Sequence, residues 1–245
     1  MSNGKQHLFI VTGSSRGMGA ALAKRLVAPE HRVIGIARRT APELTGMEQW
    51  EQDLAQPLEA AERLQAWLTG QAPFASATLI NNAGVISRPG PVEQTSLAEL
   101  SNAIRVGLEA TLLLSAAFLQ GTRPWGVPLK ILNISSGLGR RAMAGSAPYC
   151  AAKAGMDNLS ASMALDEAAR PNGARIVSLA PGVIDTDMQV QLRTADPAGF
   201  PEQQRFIEFK ASGALMSPDE AAAKLVAYLN RADFGSQPVA DIRQA

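Results

Sequence analysis

Apolar residues in this chain gather in short unbroken runs that alternate with longer segments of helical composition. Leu8-Phe9-Ile10-Val11 is such a run and stops at Thr12-Gly13, which predicts a strand covered on both faces. After a glycine-rich turn, Ala20 to Val27 has helical composition and Arg32 to Ala37 is the next strand, so the chain opens on a strand, helix, strand unit. The alternation continues with a helix over Glu59 to Leu68, a strand over Thr78 to Asn81 and helix over Leu97 to Leu119 in two segments. A strand over Leu129 to Ile134, a helix over Pro148 to Ala168 and a strand over Arg175 to Ala180 follow, then a helix over Pro218 to Leu229 and a last strand around Val239 to Ile242. Strands joined through helices imply right-handed crossovers, which put helices on both faces of a mostly parallel sheet. The expected fold class is therefore α/β, a single Rossmann-type doubly wound domain spanning residues 1–245. One stretch breaks the pattern: Asp185 to Ser217, where Pro197 and Pro201 interrupt scattered apolar residues. It is expected to be an irregular lid on the substrate side, about residues 185–217.

The composition, 46% hydrophobic and 18% charged over 245 residues, is that of a soluble globular protein. A net charge of +1, from 23 basic and 22 acidic residues, gives no global field for nucleic acid or an anionic membrane. A small-molecule partner is favoured. Cys150 is the single cysteine and His7 and His31 are the only histidines, so neither a disulfide framework nor a structural metal is expected. The polar start, Met1 to His7, does not read as a signal peptide, and the apolar stretch Leu108 to Leu119 is too short to span a bilayer. A cytoplasmic protein is expected.

Thr12-Gly13-Ser14-Ser15-Arg16-Gly17-Met18-Gly19 lies at the carboxyl end of the first strand, where a parallel sheet gathers ligands. Glycines there let the backbone approach a pyrophosphate, and the helix that follows aims its positive end at the same place. The second strand ends on Arg38 and Arg39 with no carboxylate, so Arg38 and Arg16 are candidates to clamp a 2′-phosphate, and NADP(H) is the expected cofactor. The alternative for these arginines is an ordinary solvated loop. Asp53 closes a later strand-like segment, either to bond an adenine amino group or as a surface aspartate.

Asn81-Asn82-Ala83-Gly84 after a strand and Tyr149-Cys150-Ala151-Ala152-Lys153 at a helix start, together with the glycine turn, resemble the short-chain dehydrogenase/reductase family over nearly the whole chain. Ser136, thirteen residues before Tyr149, and Pro181-Gly182-Val183-Ile184-Asp185-Thr186 stand where that family has them. The resemblance implies Ser136, Tyr149 and Lys153 as catalytic residues, with Ser135 the less suitably spaced serine. It also implies that Ile184 and Thr186, after Pro181 and Gly182, bind the nicotinamide carboxamide, and that Asn81, Ala83 and Gly84 line the adenosine side. Thr186 is equally suited to cap the next helix. Tyr149 and Lys153 are four apart and share a helix face. An adjacent ammonium is expected to bring the phenol down from about 10 towards neutrality, which makes a usable acid.

One position departs from the family, which usually has asparagine where Gly107 stands, holding a water that links the lysine to solvent. The vacated volume is expected to admit another water and rewire the proton supply.

The C-terminal third, with Tyr149-Cys150, looks like the sepiapterin reductase and benzil reductase branch. That implies an NADPH-dependent reduction of one carbonyl of a compact dicarbonyl, with Met188, Leu192, Phe200 and Phe206 as an apolar wall and Asp185 or Asp187 as the acid a pterin would need. The alternatives are a 3-oxoacyl carrier-protein reductase and a non-catalytic NADP(H) sensor. A homodimer or homotetramer is implied by the family.

Overall fold

In the computed structural model, residues 6–244 are described, and residues 1–5 and 245, including most of the polar start discussed above, lie outside them. The apolar runs become seven strands: β1 (His7–Thr12), β2 (His31–Ala37), β3 (Glu48–Glu51), β4 (Ser76–Asn81), β5 (Leu129–Ile134), β6 (Arg175–Ala180) and β7 (Val239–Asp241). They form one sheet in the order β3-β2-β1-β4-β5-β6-β7, and every pairing is parallel. Hence β1 and β4 are neighbours although β2 and β3 come between them in the chain. This is the doubly wound α/β fold that the alternation predicts.

Helices cover both faces. On one side α2 (Pro57–Thr69), α3 (Leu97–Ile104), α4 (Ala110–Thr122) and α5 (Ala147–Ala168) pack over a core in which Leu64, Leu68, Val106, Leu114 and Phe118 meet Ile10, Leu79 and Ile131. On the other, α1 (Gly17–Leu26) and α8 (Pro218–Leu229) close over Val11, Ile80, Leu132 and Val177. Ser217 and Glu220 form a reciprocal capping box at the start of α8, with Pro218 at its first position.

Three elements differ from expectation. β3, Glu-Gln-Trp-Glu, carries one apolar side chain, Trp50, and finds its place by pairing with β2 as an edge strand. Within Asp185–Ser217 the chain is not irregular but forms two short helices, α6 (Asp187–Arg193) and α7 (Gln203–Ala211), with Pro197 and Pro201 confined to the link between them. The helix after β4 is longer than expected: α3 and α4 are joined through a π-helical turn, Arg105–Glu109, into one helical stretch, Leu97–Trp125, of 29 residues. That length and composition would suffice to cross a membrane; here the stretch packs against α2, α5 and the sheet as a core helix.

Gly107 lies in the π-helical turn and is buried. A Cβ placed on it would come within 3.0 Å of the Ala152 Cβ on α5. On the α5 side, therefore, Ala152 bounds the room expected for a further water. Replacing Gly107 with asparagine is expected to destabilise the protein by about 1–3 kcal/mol through overpacking. Denaturant unfolding checks this, with a smaller penalty expected when Ala152 is glycine; equal penalties in both backgrounds would show that Ala152 is not the obstacle.

Candidate functional site

Because the strands are parallel, their carboxyl ends share one rim, and between β1 and β4 the departing chains diverge and leave a crevice. The chain leaving β1 turns there through Gly13, whose φ of +67° suits glycine and whose Cβ would sit 2.9 Å from the Ala83 Cα. Gly19 is tighter still: a Cβ on it would overlap the Gly13 carbonyl oxygen and the Asn82 side chain. Two polar side chains lace the crevice. The Thr12 hydroxyl accepts from the Asn82 and Ala83 backbone N–H groups, both at 3.0 Å, and Asn82 Nδ2 donates to the Thr12 carbonyl at 2.9 Å. Sequence reasoning missed both as site residues, although they lie inside the two motifs it singled out.

This turn fits a pyrophosphate. Gly13, Gly17 and Gly19 leave its backbone open at three positions, and α1 begins at Gly17 with no side-chain cap and no acid in its first turn, leaving its N-terminal field for an anion. Ser15 is half-buried and Gly17 exposed at the rim. Met18 turns its side chain into the core under α1, so only its backbone faces the turn. Arg38 is exposed just beyond β2, and Asp53, beyond β3, is exposed with its carboxylate accepting from the Ala55 N–H at 3.0 Å. Arg16 does not turn towards Arg38 as expected; it forms an ion pair with Asp187 at the start of α6, so the turn is tied across the crevice to the segment after β6.

Asn81 requires a correction. Its side chain points into the core, donating to Asn133 Oδ1 at 2.8 Å and Ser115 Oγ at 3.2 Å, and so offers the crevice no side chain. Ala83 and Gly84 do border it; a Cβ on Gly84 would lie 3.8 Å from Lys153 Nζ. On the far bank Pro181 and Gly182 lead into Ile184, which is buried and bridges to Met216. Thr186 stands at the N-cap position of α6 but makes no capping bond, and its methyl faces Gly17, 3.6 Å from where a Cβ would be.

The three candidate catalytic residues come together at this rim. Ser136 directly follows the turn out of β5 and its hydroxyl accepts from the Leu138 N–H at 3.2 Å, starting the helical turn Gly137–Gly139. It lies near enough to Tyr149 to favour the ionised phenol, whereas Ser135 is buried with its hydroxyl unpartnered. Pro148 starts α5, which carries Tyr149 and, one turn on, Lys153. Lys153 is buried; its Nζ donates to the Ile134 carbonyl at 2.7 Å and lies 5.7 Å from the centre of the Tyr149 ring.

The electrostatics correct the sequence expectation. Desolvation pushes the Tyr149 phenol up to about 12, the Ser136 hydroxyl opposing it in part, and Cys150 adding to it. Lys153 Nζ is held by the Ile134 carbonyl and stands 5.7 Å from the ring centre, and its charge is not among the influences that move the phenol, which therefore does not come towards neutrality. Lys153 itself is lowered to about 8, because burial disfavours its charge more than Asp157, one turn further along α5, restores it.

The lid contributes an apolar wall in a different form from that expected. Leu192, Phe200 and Phe206 are buried with Met143 as a small core of their own, so they support the wall and do not line it. Ile86, Leu138, Cys150 and Met188 pack around that core and keep partly exposed surface.

Residues 7–197 match the family model described as short chain dehydrogenase. A "Benzil reductase ((S)-benzoin forming)" of Bacillus cereus is 32% identical over 235 residues, covering 92% of this chain and 94% of that protein. The "Sepiapterin reductase" of Mus musculus is 31% identical over 250 residues, covering 93% of each. A solved metagenomic short-chain oxidoreductase in complex with NADP shares 26% identity, with a TM-score of 0.70 over 98% of this chain and 96% of that one. The parallel sheet, the glycine crevice and the Ser136, Tyr149, Lys153 rim are thus framed by a match across most of the sequence, and the chain belongs to the short-chain dehydrogenase family.

Proposed function

We propose that this protein is an NADPH-dependent carbonyl reductase acting on one carbonyl of a compact vicinal dicarbonyl, with Tyr149 as proton donor. The observation that carries this reading is the placement of Tyr149 one helical turn before the buried Lys153 on α5, with Lys153 Nζ 5.7 Å from the ring centre and Ser136 beside them, on the rim next to the glycine turn. When bound, the reduced nicotinamide supplies a hydride. Ser136 holds the substrate oxygen, and Tyr149 gives that oxygen its proton, so C=O becomes CH–OH and the phenolate left behind is reprotonated from solvent. A phenol near 12 is fully protonated at neutral pH and is still a stronger acid than the alcohol it makes, which suits the reductive direction. Lys153 keeps a positive charge beside the crevice and orients the coenzyme's ribose.

For the cofactor, the reading rests on Arg38 standing where a carboxylate would select NAD, and on the NADP found in the solved relative. For the substrate, Ile86, Leu138, Cys150 and Met188 offer an apolar surface beside Tyr149, in keeping with benzil reductase among the relatives. A pterin is less well served. Asp187 is engaged by Arg16, and Asp185 by Lys210 at 2.5 Å and Arg193 at 3.7 Å, so neither is a free buried acid. The same pairs weigh against an acidic carrier protein, since two carboxylates offset most of the charge of the three lid cations: Arg193 and Lys210 share Asp185, and Arg205 pairs with Glu202. The exposed Leu112 on α4 and Leu165 on α5 fit a homodimer or homotetramer acting in the cytoplasm.

Three outcomes check this reading. Tyr149→Phe should lower NADPH-dependent benzil turnover by about 10²–10⁴-fold while NADPH still binds; retained turnover would remove Tyr149 from the chemistry, and no turnover by the unaltered protein on any dicarbonyl would favour a sensor. In competition, benzil should outrun an acetoacetyl thioester, the reverse ranking pointing to a 3-oxoacyl reductase. Arg38→Ala should weaken NADPH binding by about 10–100-fold and leave NADH binding unchanged, as measured by fluorescence titration.

A further inference from the structure

One buried charge close to the catalytic pair has no part in the chemistry above. Asp157 lies on α5, one helical turn beyond Lys153, and is 6% exposed. Its Oδ1 accepts from the Ser178 hydroxyl of β6 at 2.6 Å, and its Oδ2 accepts from Arg140 Nε at 3.2 Å. Arg140 ends the short segment that begins at Ser136, and it donates in turn to the Ala240 carbonyl of β7 at 2.8 Å. Between these residues the backbones nearly touch: a Cβ on Gly139 would lie 2.7 Å from Asp157 Oδ2 and 2.9 Å from the Lys153 carbonyl oxygen.

A carboxylate withdrawn from water is costly, and an apolar residue would join α5 to β6 more cheaply, so stability alone does not account for it. Its position relative to Lys153 does. The Lys153 ammonium has a carbonyl, at 2.7 Å, and the Met156 sulfur, at 3.8 Å, as hydrogen-bond partners, and among the described residues no carboxylate is in ion-pair contact with it. Residues i and i+4 on a helix are neighbours, so Asp157 brings a negative charge to a buried cation that otherwise lacks one.

We propose that Asp157 is a positioning residue for the Tyr149–Lys153 pair: it fastens α5 to the Ser136 segment through Arg140 and to β6 through Ser178, and its charge keeps Lys153 an ammonium. Arg140 is the counterweight, drawing part of that charge away from Lys153. The charged and titratable groups facing Lys153 are Tyr149 and Asp157 on its own helix; Arg140, and beyond it Asp241 of β7 at 4.0 Å, act through Asp157. The π-helical turn presents Gly107 and Leu108 to α5 and leaves Arg105 and Glu109 exposed, while the segment after β4 brings only the uncharged Gly84. Burial lowers Lys153 to about 8, and the Asp157 charge opposes that fall.

The role in turnover rests on the reductase reading, but the electrostatic role is measured apart from it. In the NADPH complex, NMR titration of ¹³C-labelled lysine should show the Lys153 midpoint about one pH unit lower in Asp157→Asn, higher in Arg140→Gln, and unmoved in Ser178→Ala, which keeps the charge and loses only a hydrogen bond. The alkaline limb of kcat/KM for benzil reduction should move with it in the same order, because Lys153 loses its proton before Tyr149 does. Opposite shifts in Asp157→Asn and Arg140→Gln cannot come from general loosening, and either variant alone keeps the question open to refutation if the other fails to fold. A Lys153 midpoint equal in all four proteins overturns the inference. Midpoints that shift as described in a protein that never reduces a dicarbonyl uphold the inference and overturn the reductase reading instead.

Discussion

The site depends on how closely two backbones approach at the carboxyl ends of β1 and β4. Those strands are adjacent because the chain, after running outward through β2 and β3, returns to the other side of β1, and only there do consecutive crossovers leave a gap above the sheet. The gap is narrow. Gly13 and Gly19 are held where any side chain would strike Ala83, Asn82 or the turn itself, and Thr12 and Asn82 fix that spacing with bonds from one strand end to the other. A crevice built in this way presents bare amides and a helix N-terminus, which is the chemistry of phosphate binding. It also sets where Gly84 lies, beside the Lys153 ammonium.

Around that crevice, removal of water decides the protonation of the catalytic pair more than their mutual charge does. Tyr149 rises and Lys153 falls for the same reason, since both lose hydration of their charged forms. The two shifts carry the pair apart in proton affinity, to about 12 for the phenol and about 8 for the ammonium, and leave both groups protonated at neutral pH. That state suits proton donation to a carbonyl oxygen, and it has a boundary: Lys153 is the first to discharge as the solution becomes alkaline. The groups that set this boundary are thus the buried ones nearest Lys153, not the many exposed charges whose effects water screens.

Much of the architecture was legible because the strands are buried on both faces and read as unbroken apolar runs, and because the helices between them keep good helical composition. The same double burial hid other features. With no inside and outside to alternate between, nothing told whether Asn81 or Asn82 turns to the crevice, and the one that turns to it is Asn82. β3 showed only as a strand-like segment before Asp53, because an edge strand can be mostly polar, and α6 and α7 stayed hidden because two prolines masked short helices whose apolar residues serve a local core. Ser136, Tyr149 and Lys153 stand out as candidates by their spacing, but the phenol's proton affinity depends on burial, which no spacing reveals. The partner of Arg16 lies 171 residues away and is a property of the fold alone.

The lid is built onto the catalytic helix and does not merely hang over it. Gly145, in the loop that feeds α5, has a φ of +69°, and a Cβ there would strike the Gly199 carbonyl oxygen and the Phe200 ring, both at 2.9 Å. Gly90, after β4, donates to the Gly145 carbonyl at 2.9 Å. Three chain segments therefore meet backbone to backbone immediately before Tyr149, and Phe200 joins that contact to the buried cluster of Met143, Leu192 and Phe206. Close-packed interiors transmit displacement because they have no slack to absorb it. A substrate that pressed on Met188 or Cys150 would load the same cluster that seats the start of α5. The apolar wall and the helix that carries Tyr149 are thus parts of one packed unit, so a ligand whose shape loads that wall bears on the placement of Tyr149 as well.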